Sequence, residues 1–500
     1  MQTISAEDII GRIRTENPWW DKEHTIADEH RVMKRRPYFD LFYPLVEMQS
    51  PRRAVVLMGP RRVGKTVIIY HTIQALIESG TPPRAICYFS VDHPIYNGLG
   101  IERLLEYYGQ ATGVNTKAEN IFLFFDEVQY LRDWEVHLKS AVDGYSNIKF
   151  IASGSAAAAL RLKSTESGAG RFTDFLLPPL TFYEYLYLLE KTGLVEEPLL
   201  GGREAGSGFF STKDIGEVNG QFIAYLNFGG YPEAILSSTI QSDPARFIKS
   251  DIIDKVLLRD LPSLYGIGDI QELNSLFTTL AFNTANEISL EGLSKTSGVA
   301  KNTIKRYIEY LEAAFLVKVV HRVDHNVRRF RRANFFKIYL TNPSMRAALF
   351  SPLKPDDNAV GFLAETAVFS QWFHSALTTL YYARWQDGEV DIVNLDSKQK
   401  AMWAVEVKWS DRYCDHPDEL KSIVSFCRAN GLKSALVTSI TRTEVREVDA
   451  VKIRFVPASL YCYTVGYNLI QGASIRFPEV VPVPPDQSVN PAEQTITPTQ

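Results

Sequence analysis

The chain has 500 residues, a length that suggests about three domains. Hydrophobic residues make up 45% and charged residues 22%, so most of the chain can bury a core. Lysine and arginine total 54 against 58 acidic residues, a net charge of −4, which excludes a histone-like basic protein and an acidic disordered one but conceals any local segregation of charge. The cysteines, Cys87, Cys414, Cys427 and Cys462, have no paired spacing, so neither a disulfide framework nor a zinc ribbon follows. Residues 1–14 bring acids early and no apolar stretch, unlike a secretory signal. Apolar runs such as residues 121–125 are too short to cross a bilayer. A cytoplasmic protein without membrane contact is the expectation.

In chain order, residues 1–48 read as a helical segment anchored by Trp19 and Trp20. A short apolar strand at 53–57 runs into Gly59-Pro60-Arg61-Arg62-Val63-Gly64-Lys65-Thr66, and residues 67–79 have helical spacing. Further strands at 86–89, 121–125 and 149–152 alternate with helices, the pattern of a parallel sheet covered on both faces. The glycine-rich residues 201–208 read as a mobile insertion, and residues 221–280 as mostly helical. The expected division is an N-terminal segment (1–48), a P-loop ATPase domain (49–216), a helical and winged-helix domain (217–351), a nuclease-like α/β domain (352–475) and a proline-rich disordered tail (476–500).

The first motif fits G-x-x-x-x-G-K-[ST] between a strand and a helix. Gly59 and Gly64 let backbone N–H groups wrap the phosphates of ATP. Lys65 adds a point charge, the Thr66 hydroxyl suits Mg²⁺, and the helix aims its positive end at the anion. About 60 residues on, a fully apolar strand ends in Asp126-Glu127. Asp126 is the expected partner of Mg²⁺, and Glu127 the group that polarises the attacking water. A helix N-cap pair is the plainer reading of both acids. Ser153, at the end of the next strand, is placed to sense a γ-phosphate, or serves as a turn residue. Arg171 is a candidate arginine finger for its own or a neighbouring site, which would make a homo-oligomer a partner of interest. An ordinary surface arginine competes with that reading.

Residues 290–297, a Gly298 turn and residues 301–314 have the outline of a helix-turn-helix, with Ile304, Ile308 and Leu311 facing the core. Lys301 and Lys305 stand at the exposed start of the second helix, where a recognition helix meets DNA. Residues 321–337 then carry Arg322, Arg328, Arg329, Arg331, Arg332 and Lys337 against Asp324 alone. A hairpin so charged suits phosphate contacts. Packing against the ATPase or a second subunit is the competing use.

Farther on, Glu389 and Asp391 alternate on one strand face, as do Glu406 and Lys408 on another. Glu365 precedes them in a helical stretch. Helix with Glu, strand with Asp, strand with Glu-x-Lys is the order of a PD-(D/E)xK nuclease core. Asp391 and Glu406 are the expected Mg²⁺ ligands, Lys408 orients water, and Glu365 completes the site or positions Lys408.

The motifs Gly59 to Thr66, Phe125-Asp126-Glu127-Val128-Gln129, Ala152-Ser153-Gly154-Ser155, Gly170-Arg171, Leu177-Pro178-Pro179-Leu180-Thr181-Phe182-Tyr183-Glu184 and Gly229-Gly230-Tyr231-Pro232-Glu233-Ala234 occur in that order. The series resembles prokaryotic AAA+-type ATPases that carry a restriction-endonuclease-like C-terminal domain of unknown function. The resemblance runs from about Trp19 to Leu460 and implies an ATPase core, a winged helix and a nuclease-like fold, without an established substrate. The glycine-rich insertion departs from that pattern. Two functions follow as expectations. One is a DNA-associated ATPase that cuts a phosphodiester with Mg²⁺. The other is a nucleotide-driven switch whose nuclease-like domain only binds a partner.

Overall fold

The computed structural model describes residues 5–21, 23–154, 170–197, 208–328, 335–373, 375 and 378–471. Ser155, the glycine-rich residues 201–207, Arg329, Arg331, Arg332 and the proline-rich tail lie outside the described residues. The N-terminal segment folds as two main helices, Ala6–Glu16 and Phe39–Glu47, with short turns between them. Ser5 and Asp8 close a capping box on the first. Trp19 and Trp20 anchor the segment, both indoles donating to the Ile86 carbonyl at 3.1 and 2.8 Å.

Five parallel strands form the first sheet: β1 (Ala54–Met58), β2 (Ile86–Ser90), β3 (Ile121–Asp126), β4 (Ile148–Gly154) and β5 (Phe172–Leu176), in the order β2-β3-β4-β1-β5. A parallel sheet is buried on both faces, which is why these strands read as continuous apolar runs. In β1, Val55 and Leu57 enter one core while Ala54, Val56 and Met58 enter the other. The register sets Met58 opposite Gly154 and Phe125 opposite Ala152. The carboxyl ends of β1, β4 and β3 therefore finish side by side, at the edge where open α/β sheets bind ligands.

After the helix Ile215–Phe228, residues 245–260 are wound as π-helix in two stretches, Ala245–Asp254 and Val256–Asp260. There follow the helix Ile270–Phe282, β6 (Glu287–Ser289), the helices Leu290–Ser297 and Lys301–Ala313, and the antiparallel pair β7 (Val317–Val323) and β8 (Phe335–Leu340). Gly298, at φ 74°, makes the turn between the two helices, and Ile304, Ile308 and Leu311 are buried.

The last third consists of the helix Val360–Trp372, then β9 (Leu380–Trp385), β10 (Gly388–Leu395), β11 (Ala401–Glu406), the helix Lys421–Ala429, β12 (Ser434–Ser439), β13 (Glu444–Val448), β14 (Val451–Pro457) and the helix Ala458–Ile470. Its strands continue into those of the preceding segment. The sheet order is β13-β14-β12-β11-β10-β9-β7-β8-β6, and β7 pairs with β9 in parallel from His321 opposite Tyr381 to Val323 opposite Ala383. One nine-stranded sheet therefore crosses residue 352, and this puts β8 within reach of the carboxylates on β10 and on the helix Val360–Trp372. One apolar core continues from a face of the first sheet into this second one.

Candidate functional site

The loop after β1 is shaped by close approach. Gly59 lies so near the Leu177 carbonyl that a side chain there would run into it. Gly64, at φ 94°, opens the helix Lys65–Glu78 from a left-handed turn. Lys65 is buried, and its ammonium donates to the Gly59 and Pro60 carbonyls at 3.0 and 2.9 Å. Burial presses the Lys65 pKa down, while Glu127 and Asp126 hold it up. The Thr66 hydroxyl donates to Asp126 Oδ2 at 2.7 Å. Ser153 also donates to Asp126, and Tyr88 does so at 2.9 Å. Burial, then the neighbouring Glu127, raises the Asp126 pKa, and the three hydroxyls oppose that rise. Glu127 sits in a left-handed backbone conformation, its N–H 3.3 Å from Ser153 Oγ, and the Gln129 amide donates to its carboxylate.

Gly59, Gly64, Lys65, Thr66, Asp126, Glu127 and Ser153 thus gather at one sheet edge. The Thr66 hydroxyl and the Asp126 carboxylate, two hard oxygen donors in contact, fit Mg²⁺. Arg171 does not join them. It immediately precedes β5, its carbonyl accepts from Ala54 N–H at 2.9 Å, and its guanidinium pairs with Asp143 at 2.6 Å. Ala54 and Met58 are the two ends of β1, so Arg171 lies at the far end of the strand from the loop. Action on its own chain's site is corrected accordingly.

The pattern of the loop gave no sign of the groups that brace it. Arg36 is buried and forks onto Glu184 at 2.8 and 2.9 Å while also donating to the Val63 and Pro178 carbonyls at 2.7 and 3.2 Å. A signal for Glu184 was present, since Thr181-x-x-Glu184 is a capping box and forms one here. Arg61 and Arg62, at unrestricted motif positions, reach Asp260 and the pair Glu233 and Asp251.

The second gathering is acidic. The register of β10 and β11 pairs Ile392 with Val405, so Asp391 and Glu406 stand across from each other. Asp391 Oδ2 accepts the Val407 N–H at 2.9 Å, and Lys408 donates to Glu406 Oε1 at 2.7 Å. Glu365 enters from the helix Val360–Trp372. Between them lies Lys337, which the sequence placed in the basic hairpin. It is 3% exposed, with Nζ 3.0 Å from Glu365, 2.7 Å from Glu389 and 3.5 Å from Asp391. Its assignment to a phosphate-binding run is corrected, because β8 turns it inward. Tyr339, two residues on, donates to Glu365 at 2.6 Å.

Burial opposes the Lys337 charge, but Glu365, with Asp391 and Glu389, holds its pKa well above the usual lysine range. Burial pushes Glu365 up to about 7, against the pull of Lys337. Burial and Asp391 push Glu406 up to about 8, against Lys408. Glu406 Oε2 is buried without a hydrogen-bond partner. Among the described residues, no group of three or more His, Cys, Asp or Glu is placed to hold a metal ion. In this arrangement the Lys337 ammonium lies among Glu365, Glu389 and Asp391, while Glu406 pairs with Lys408.

Of the expected nucleic-acid contacts, Lys301, Lys305 and Arg328 are exposed. Lys301 lies 3.6 Å from Glu291 and Lys305 3.9 Å from Glu309. Exposed pairs of this kind hold a side chain weakly. Among the described residues, no helix is long and apolar enough to cross a membrane.

The first gathering lies within a stretch that matches a known domain family. Residues 51–186 match the model of an AAA domain family, and residues 219–357 match that of a domain of unknown function. An uncharacterized protein of Methanocaldococcus jannaschii is 26% identical over 364 residues, 69% of this chain and 74% of that one. An uncharacterized protein of Haemophilus influenzae is 22% identical over 310 residues, 61% of this chain and 71% of that one. Among solved structures, a Walker-type ATPase of Pyrococcus abyssi aligns over 66% of this chain and 99% of its own, at 16% identity and a TM-score of 0.37. The chain carries an AAA-type P-loop domain.

Proposed function

We propose that the protein is an ATPase that works as a nucleotide-driven switch and associates with DNA. The observation that carries this reading is the contact between Thr66 and Asp126, formed beside the buried Lys65 at the end of β1. Backbone N–H groups between Gly59 and Thr66 bind the phosphates, and Lys65 exchanges its loop carbonyls for phosphate oxygens. Thr66 and Asp126 would hold Mg²⁺, which would supply positive charge against the charge developing on the phosphates. Glu127 orients the attacking water and accepts its proton, with Gln129 fixing the carboxylate. Ser153 positions Asp126 rather than touching phosphate itself. Titration with a fluorescent ATP analogue tests the reading. The wild-type protein binds it, and Lys65→Ala loses binding; equal affinity in both would sink the assignment.

The element order from Ile270–Phe282 through β8 supports a winged helix, with Lys301, Lys305 and Arg328 as its DNA face; Arg329, Arg331 and Arg332 continue that charge in sequence, outside the described residues. The order helix, β9, β10, β11, helix, β12 supports a restriction-endonuclease-like core. Lys337 favours the use of that core as a binding and coupling module instead of a Mg²⁺-dependent nuclease. Arg171, half-buried at the far sheet end and paired with Asp143, is remote from its own site and suits a neighbouring subunit in a homo-oligomer.

A further inference from the structure

The P-loop motif leaves four positions open, and this chain puts arginines in two of them. Arg61 forks onto Asp260, Nε to Oδ2 at 2.7 Å and Nη2 to Oδ1 at 2.9 Å. The pair is mostly buried, with side chains 21% and 10% exposed. A bidentate, desolvated pair fixes direction as well as distance. Arg62 makes a looser, more exposed pairing with Glu233 at 2.9 Å and Asp251 at 3.2 Å. Both arginines therefore grip one segment, residues 233–260. Asp260 closes the part of it that is wound as π-helix, a form rarely sustained beyond one turn and enriched at functional sites.

Arg61 also faces the nucleotide machinery. Burial works against its charge, but Asp260, Glu127 and the Tyr130 hydroxyl keep it firmly protonated. Its field in turn lowers the Lys65 pKa. Arg61 stands four positions before Lys65 in the same loop, within electrostatic reach of Lys65 and Glu127.

We propose that Arg61 contacts the terminal phosphate of a nucleoside triphosphate from within its own chain, and that Asp260 is the positioning residue that competes with this phosphate for the guanidinium. The proposal rests on the ATP reading above. A triphosphate draws Arg61 from Asp260 and loosens residues 245–260; a diphosphate lacks the competing oxygens and leaves the pair closed. Coupling is reciprocal, so neutralising Asp260 tightens triphosphate binding relative to diphosphate.

Hydrogen exchange of the full chain, with the non-hydrolysable analogue AMP-PNP or with ADP, both with Mg²⁺, reads the segment directly. In the wild type, residues 245–260 exchange faster with AMP-PNP than with ADP. Asp260→Asn makes exchange fast in both states and shifts the AMP-PNP to ADP affinity ratio upward by about 5-fold or more, the range of ordinary allosteric couplings. Asp260→Glu restores the nucleotide dependence. Arg61→Lys, which keeps the charge but not the fork, abolishes it without unfolding the protein. Equal exchange with both nucleotides in the wild type, or an unchanged affinity ratio in Asp260→Asn, overturns the proposal. A wild type that binds neither nucleotide overturns the ATP reading itself, a failure distinct from binding without a response.

Discussion

Replacing Lys337 by methionine removes the only ammonium among Glu365, Glu389 and Asp391 while keeping a side chain of similar length. The Lys337 side chain is 4% exposed, so water cannot take the place of the lost charge. Breaking a buried ion pair by deleting one partner costs about 3–5 kcal/mol, and that range is expected for Lys337→Met at pH 8. The loss shrinks at pH 5, because Glu365, already raised by burial, then takes up a proton and no longer needs a cation. Glu365→Gln added to Lys337→Met recovers part of the stability, since residues in one network do not act additively. Thermal unfolding of the wild type and of Lys337→Met, each at pH 8 and at pH 5, reads the loss. Wild-type stability in Lys337→Met at pH 8, or equal losses at both pH values, would refute the reasoning.

Two further outcomes follow from the same geometry. Glu365 and Glu406 both have folded pKa values raised above the unfolded carboxyl range, so the folded state holds protons that the unfolded chain releases. Their contribution to stability is complete below about pH 4.5 and is lost as pH rises to about 7 and about 8, which denaturant titrations across that range can follow. Glu184→Gln strips the buried Arg36 of its carboxylate and should cost about 3–5 kcal/mol, seen as an earlier thermal transition that nucleotide only partly restores.

The candidate nucleotide site was legible because its motif is compressed into eight consecutive residues and one strand end. The carboxylates were legible as alternation on strands, since period two fixes a face without knowledge of the partner strand. What was hidden depended on pairing across long separations. Lys337 counted as one more charge in a basic run until β8 paired with β7 and turned it inward. Arg61 and Asp260 are 199 positions apart, and Arg36 and Glu184 are 148 apart, so no local pattern joins them. Nor could local pattern show that β7 and β9 pair across residue 352 and merge two expected units into one sheet. The cis role of Arg171 fails because its place ahead of β5 sets it at the far end of the sheet from the loop, which no local pattern shows.

Steady-state phosphate release from ATP, measured for the wild type beside Glu127→Gln, tests the central claim most directly. The account predicts turnover by the wild type and retained ATP binding with turnover reduced by about 100-fold or more in Glu127→Gln, the scale of a lost general base. Wild-type turnover in Glu127→Gln, or none in the wild type with ATP and Mg²⁺ present, would contradict it.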